Sequence, residues 1–243
     1  MTFNSLQDFY WLSQPNPGAS LRSFFKDGSL EKHLPEVFNL YGVPQSTVHH
    51  PEIDTGVHIE LCLNVGHALK APPVVLFAVL LHDIGKGITP VKEWPSHKGH
   101  EEAIGRLIDD ICKREVYNFH WVELAKTVGV EHIRVHRALE MTPQSVLELF
   151  ERLQVTDETR LHFFQQVLQA CEIDARGRAG LQERLYPQAP YLEECLKAVI
   201  QYPITVEMVK PNKPWAMNHH KRLSVIREIR KKYQKILPAK AVT

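Results

Sequence analysis

Between Val74 and Gly87 the chain reads Val-Val-Leu-Phe-Ala-Val-Leu-Leu-His-Asp-Ile-Gly-Lys-Gly. An unbroken apolar run is buried on all sides, and this one carries an adjacent His82 and Asp83 into the interior with it. A buried imidazole and carboxylate need partners, because an unpaired buried charge is expensive. Two arrangements meet that need: a hydrogen-bonded His–Asp pair in an ordinary core, or shared ligation of a metal ion, since both groups are ligands and neighbouring helical positions can converge. The dipeptide alone leaves both open. Gly85 is expected to end the helix in the αL conformation, with Lys86 standing where a phosphate near such an ion would sit. Eight apolar residues could also form a central strand, but no other convincing strand signal accompanies them.

Helical periodicity dominates the rest. Short helices are expected over 5–14 and 19–26, split by the turn Gln14-Pro15-Asn16-Pro17-Gly18, and a third from about Leu30 to Leu40. Residues 42–51, with two prolines, read as a loop. Asp54 or Thr55 caps a helix to about Leu69, with Val57, Leu61, Val65 and Leu69 as its apolar stripe. His58 sits beside that stripe. His67, nine positions on and about 180° round the helix, cannot share its site. Pro72-Pro73 open the apolar helix, and an irregular loop follows over Ile88–Lys98. Further helices are expected from His97 or His100 to Arg114, Phe119 to Leu139, Thr142 to Leu153, Thr156 or Asp157 to Ala175, Tyr191 to Gln201 and Asn218 to Ile236. Ile104, Leu107, Ile108 and Ile111 mark one core face.

Composition narrows the class. At 243 residues the chain makes one large domain or two small ones. No apolar run approaches the ~18 residues of a membrane span, and the N-terminus shows no basic region followed by an apolar stretch, so neither a membrane protein nor a secreted one is expected. Cys62, Cys112, Cys171 and Cys195 are too scattered for a disulfide framework and fit reduced thiols in a cytoplasm. Charge is uneven. From Lys210 to the end there are ten Lys/Arg against Glu228 alone, about +9, leaving about −8 on the remainder. Such an arm contacts phosphate-rich partners, docks on the acidic body, or forms a solvated amphipathic helix.

The order His58, His82-Asp83, Asp174 resembles the HD-domain superfamily of metal-dependent phosphohydrolases. Four longer stretches extend the likeness: His50-Pro51-Glu52-Ile53-Asp54-Thr55-Gly56-Val57-His58, His82 to Pro90, Trp94-Pro95 with Gly99-His100, and Asp174-Ala175-Arg176-Gly177-Arg178. They are similar to the C-terminal HD domain of bacterial multifunctional CCA-adding tRNA nucleotidyltransferases over roughly residues 30–235. Residues 1–40 hold no counterpart of the nucleotidyltransferase head of those enzymes, so CCA addition is not expected of this chain. The resemblance implies an all-α HD bundle over 46–205, N-terminal helices over 1–45 packed on it, and a basic helix and tail over 206–243.

The resemblance also implies the chemistry. It makes His58, His82, Asp83 and Asp174 ligands of one divalent ion, with Mn, Ni, Fe, Co or Zn favoured over Mg by the mixed His/Asp donors. His100 and His132 resemble the extra histidines of two-metal HD proteins, in which the Asp of the His-Asp pair bridges the ions. Relatives often carry an acidic residue after the second of these; here it is Ile133. His136 is expected to be a structural histidine. The implied activities are phosphatase, 2′-nucleotidase and 2′,3′-cyclic phosphodiesterase on nucleotides or RNA ends, with Asp83 and Lys86 catalytic. Lys86, Arg176 and Arg178 would hold phosphoryl oxygens, and Trp94 would stack on a base. The alternative is an RNA- or tRNA-binding module that uses the basic C-terminal helix and an idle metal site.

Overall fold

The computed structural model describes residues 9–115, 117–203 and 214–236. Among them every regular element is a helix, and the only β-bridge, Pro44 to Asp54, is isolated. In chain order the α-helices are α1 (Pro17–Lys26), α2 (Ser29–His33), α3 (Pro35–Phe38), α4 (Thr55–Ala68), α5 (Pro73–Leu81), α6 (His100–Arg114), α7 (Phe119–His136), α8 (Pro143–Arg152), α9 (Leu161–Arg176), α10 (Gln188–Val199) and α11 (Pro214–Ile236). None of the described helices is long and apolar enough to cross a membrane. The chain divides into two units. One runs to His132 and includes Gln169–Tyr186; the other comprises Ile133–Leu168 and the chain from Pro187 onward.

In the first unit the apolar run is a helix, α5. Pro73 occupies its first turn, where a missing N–H costs nothing. Val74 through Leu81 are all buried, the Val, Leu and Phe side chains each contributing roughly 1.5–3 kcal/mol. That burial offsets the cost of holding His82 and Asp83 in the interior at the helix end. α4 lies against α5 and is crossed by α1. Its N-terminus is capped by Asp54, whose carboxylate accepts from the Val57 amide at 3.0 Å. Because α4 is covered from two directions, its buried positions differ from the expected stripe. Val57, Leu61 and Leu69 are half-buried, while Ile59, Cys62 and Leu63 are wholly enclosed. Arg22 of α1 and Tyr41, just after α3, are both tied to Glu60 of α4 at 2.6 Å.

Three other expectations are corrected here. The helix expected over Leu30–Leu40 is two helices, α2 and α3, because Pro35 drives Leu34 out of helical geometry to φ −142°, ψ 62°. Gly85 is not left-handed; the described glycines with positive φ are Gly28, Gly42, Gly99 and Gly180. It lies in a 3-10 turn, Ile84–Ile88, and glycine is required for space: a Cβ would stand 2.1 Å from the His100 carbonyl oxygen. The turn's backbone therefore rests directly on the start of α6. Of the helix expected over 5–14, residues 5–8 lie outside the described residues, and the remainder holds a 3-10 turn, Tyr10–Ser13. The α6 core face Ile104, Leu107, Ile108 and Ile111 is buried as expected.

In the second unit, Thr142 caps α8 by accepting from the Ser145 amide at 3.1 Å. α11 lies on α10 and α8 and buries Ile226 completely. Several of its cations are used in this docking. Lys232 pairs with Glu194 at 2.8 Å, Arg222 donates to the Tyr202 carbonyl at 2.7 Å and Arg230 to the Glu140 carbonyl at 3.3 Å. Residues 210–213 and 237–243 of the basic segment lie outside the described residues.

Candidate metal centre

Five separate segments of the first unit deliver polar side chains to one buried spot. α4 supplies His58 one turn from its start, the end of α5 supplies His82 and Asp83, the start of α6 His100, α7 His132 and α9 Asp174. All six are buried. Each imidazole is oriented through Nδ1. The Nδ1–H of His82 donates to the Val79 carbonyl at 2.7 Å, that of His100 to the His97 carbonyl at 3.0 Å, and that of His132 to the Gly129 carbonyl at 3.0 Å. These are carbonyls of the preceding turn. His58 differs: its Nδ1–H donates to the Glu52 carboxylate at 2.9 Å.

With Nδ1 committed, each Nε2 presents its lone pair inward, where it meets a carboxylate. His58 Nε2 is 3.0 Å from Asp174 Oδ1, and His82 Nε2 is 3.7 Å from the same oxygen and 3.3 Å from Asp83 Oδ2. His100 and His132 Nε2 lie 3.2 and 3.8 Å from Asp83 Oδ1. Lone pairs facing carboxylates repel unless a cation lies between them. A proton or a metal ion would serve. His82 Nε2, His100 Nε2 and Asp83 Oδ1 are buried and make no hydrogen bond, so protons do not satisfy the whole cluster. Two of the groups whose ligand atoms lie within 4.8 Å of one another share Asp83, His58–His82–Asp83 and Asp83–His100–His132, and Asp174 Oδ1 adjoins the first through His58 and His82. Imidazoles oriented through Nδ1 and an Asp83 carboxylate held by Lys86 suit a divalent transition ion.

The electrostatics follow from the geometry. Burial would raise the Asp83 pKa, but Lys86 and the imidazoles hold it well below the usual carboxylate range. Burial opposes protonation of His58 and His82, yet both pKa values are raised, by Cys62 and Asp174 for His58 and by Asp83 and Asp174 for His82. Lys86 Nζ is itself buried between Asp83 Oδ2 at 2.7 Å and Gln45 Oε1 at 2.6 Å. Burial pushes His50 down to about 4, with His58, Lys86 and Arg178 acting in the same direction against its Glu52 partner.

The remaining sequence candidates separate. Arg178 is half-buried, and its Nε makes no hydrogen bond. Arg176 is committed to its own helix and the loop beyond, pairing with Glu172 at 2.8 Å and donating to the Gln182 carbonyl at 2.7 Å. Trp94 is half-buried; its indole N–H donates to the Thr89 carbonyl at 3.2 Å and its ring leans on His97. His67 and His136 belong to none of the ligand sets. Glu52, Gln45 and His97 escaped the sequence reading. They sit in loops, where no periodicity marks an inward-facing residue. His97 is buried with φ +47°, bonded to Thr89 and to the Pro44 carbonyl, and its own carbonyl orients His100. The motif Pro-Glu just before the Asp54 cap was the available signal for Glu52.

The HD domain family profile matches residues 57–178, about half of the chain. A Multifunctional CCA protein of Ectopseudomonas mendocina (strain ymp) is 45% identical over 193 residues, 79% of this chain and 47% of that protein. Proteins of the same name from Pseudomonas syringae pv. syringae and Methylococcus capsulatus are each 42% identical, over 82% and 78% of this chain and 49% and 44% of their own lengths. The chain thus spans about half the length of the curated relatives it matches. No solved structure gives a significant match.

Proposed function

This chain belongs to the HD-domain family, and from that premise we propose that it is a divalent-metal-dependent phosphohydrolase. Its centre is His58, His82, Asp83 and Asp174, with His100 and His132 completing a second position across Asp83. One observation carries the reading. The inward nitrogens of four imidazoles face two carboxylates at 3.0–3.8 Å, with three of the buried atoms unsatisfied. A divalent ion bound there supplies Lewis acidity toward a phosphoryl oxygen and lowers the pKa of a bound water.

The chain's own groups set up the rest. Lys86 keeps Asp83 ionised and places a fixed positive charge at the edge of the cluster. The guanidinium of Arg178, with a buried Nε left to fill, is the group for a non-bridging phosphoryl oxygen; charge-assisted contacts of this kind are short and strong. Arg176 is assigned to loop anchoring instead. Trp94 offers an aromatic face near the start of α6 for a base. We place the substrate among nucleotides or RNA ends, cyclic 2′,3′-phosphates included. The name of the relatives supports a tRNA-related role, and the thiols, all free, fit a cytoplasmic setting.

The test is turnover of model phosphomonoesters, phosphodiesters and 2′,3′-cyclic nucleotides across Mn, Ni, Fe, Co, Zn and Mg, with Asp83→Ala as control. Metal-dependent activity lost in Asp83→Ala supports the hydrolase. The basic α11 favours a second reading, an RNA-binding module. No turnover with any metal, together with salt-dependent RNA binding that ignores chelator, would establish that one instead.

A further inference from the structure

Nε2 of Gln45 is buried, makes no hydrogen bond and belongs to none of the ligand sets. The residue as a whole is 3% exposed. The other end of the same amide is committed. Its Oε1 accepts from Lys86 Nζ at 2.6 Å, and Lys86 in turn donates to Asp83 Oδ2 at 2.7 Å. An ammonium has donors and no acceptor, so the amide must turn its oxygen toward Lys86 and keep its NH₂ for another partner. A buried donor left without an acceptor is costly. This one is a single side chain removed from Asp83, the carboxylate that two of the ligand sets share.

The backbone around Gln45 is fixed from several directions. Its own N–H donates to the Ile53 carbonyl at 2.6 Å. The Pro44 carbonyl accepts from His97 Nε2 at 2.8 Å. The Val43 carbonyl accepts from both the amide, at 3.0 Å, and the hydroxyl, at 2.9 Å, of Thr55, the first residue of α4. Ile53 is left-handed, φ +64°, which a β-branched residue keeps only where its surroundings impose it. Gln45 is thereby tied to the start of α4 and to the loop before α6, the elements that bring His58 and His100. The residue type is informative too. A carboxylate would hold the Lys86 ammonium more strongly. Glutamine gives up that strength and offers a neutral donor instead, which suits an anion.

We propose that Gln45 is a substrate-binding residue: its Nε2 donates to a non-bridging oxygen of a phosphate group, while its Oε1 aims Lys86 at the same group. Lys86 uses two of its three N–H donors on Asp83 and Gln45 and has the third for that phosphate. A phosphate that reaches Asp83, itself 1% exposed, has entered the same enclosed space. The inference rests on the phosphohydrolase reading above and deepens it by naming the pair that takes the phosphoryl group. Two donors side by side fit a phosphate with two unesterified oxygens, as in monoesters and cyclic diesters.

Inorganic phosphate is the probe, titrated into the zinc-loaded full chain with its glutamine side-chain amides labelled with nitrogen-15. The Gln45 pair is identified by its absence from the spectrum of Gln45→Met, which keeps the length of the side chain and loses both polar ends. On phosphate binding, one proton of that pair is expected to move downfield, and the phosphate Kd is expected to rise ~10-fold or more in Gln45→Met, the scale of one hydrogen bond to a charged group. Weaker phosphate binding in Gln45→Met with an unmoved wild-type pair means that Gln45 only holds Lys86, and it overturns the proposal. Phosphate bound equally by both chains overturns it as well and assigns the buried NH₂ to water. A wild type that binds no phosphate also sinks it, and turnover of phosphate esters then decides separately whether the phosphohydrolase reading falls too. If no glutamine pair of the wild type moves with phosphate, the proposal fails whether or not the variant folds. Gln45→Leu serves for the assignment if Gln45→Met does not fold.

Discussion

Replacing Glu52 by glutamine isolates the orientation of His58. The Glu52 side chain accepts on both oxygens: Oε1 from His50 Nδ1 and His58 Nδ1, each at 2.9 Å, and Oε2 from the Ala179 amide at 3.0 Å. Although its burial would raise the pKa, the bonds from His50 and His58 hold it well below the usual carboxylate range. Glutamine has nearly the same shape but one acceptor oxygen and one amino group. With its oxygen toward the histidines, its NH₂ confronts the Ala179 N–H, leaving a partly buried donor unsatisfied at about 1–3 kcal/mol. With its NH₂ toward them, His58 must move its proton to Nε2, the nitrogen that faces Asp174, and the lone pair needed for a metal is lost. Either route weakens metal binding. Losing the hydrogen-bond partner of a ligating histidine costs ~10–100-fold in affinity, or about 1.4–2.8 kcal/mol. The assay is chelator-buffered titration of zinc and manganese into wild type and Glu52→Gln, with circular dichroism to confirm the fold. A Glu52→Gln chain that is folded and binds both ions as tightly as the wild type would refute the tautomer argument.

Gly85→Ala should destabilise the chain by about 1–3 kcal/mol, since the new methyl meets the fixed His100 carbonyl rather than a flexible side chain; a denaturant midpoint equal to wild type contradicts this. Metal affinity should fall with acid. His58 and His82 have raised pKa values in the metal-free cluster, so their imidazolium forms compete with the ion more as pH drops through those values, and ligands bind deprotonated. Their contribution to metal-free stability runs the other way, present below the ordinary histidine pKa and lost as pH rises through the raised ones; affinity and melting measured across pH separate the two. Arg178→Ala should lower kcat/KM for phosphate esters ~10-fold or more, the scale of one charged hydrogen bond. Steady-state kinetics with unchanged kcat/KM would place Arg178 outside the substrate site.

Sequence periodicity alone determined the helical class, because an apolar stripe or an unbroken apolar run is a local property that burial reads directly. It also marked His82-Asp83 as buried at the end of α5, while His58 and Asp174 were legible only through the resemblance of their order to the HD-domain pattern. Tertiary structure decided what local pattern cannot express. His58 and Asp174 are 116 residues apart yet in hydrogen-bond contact, a relation set by how α4, α5 and α9 pack. The role of Gly85 was misread for the same reason. Seen along the chain it is a helix terminator, but the demand for glycine comes from the carbonyl of His100, fifteen residues away. Glu52, Gln45 and His97 stayed hidden because loops carry no repeating face from which an inward direction could be inferred. The partners of Lys86, Asp83 and Gln45, likewise came to light only in the fold. Residue identities are written one at a time along the chain, whereas which donors share one space is set by the packing of segments far apart in it.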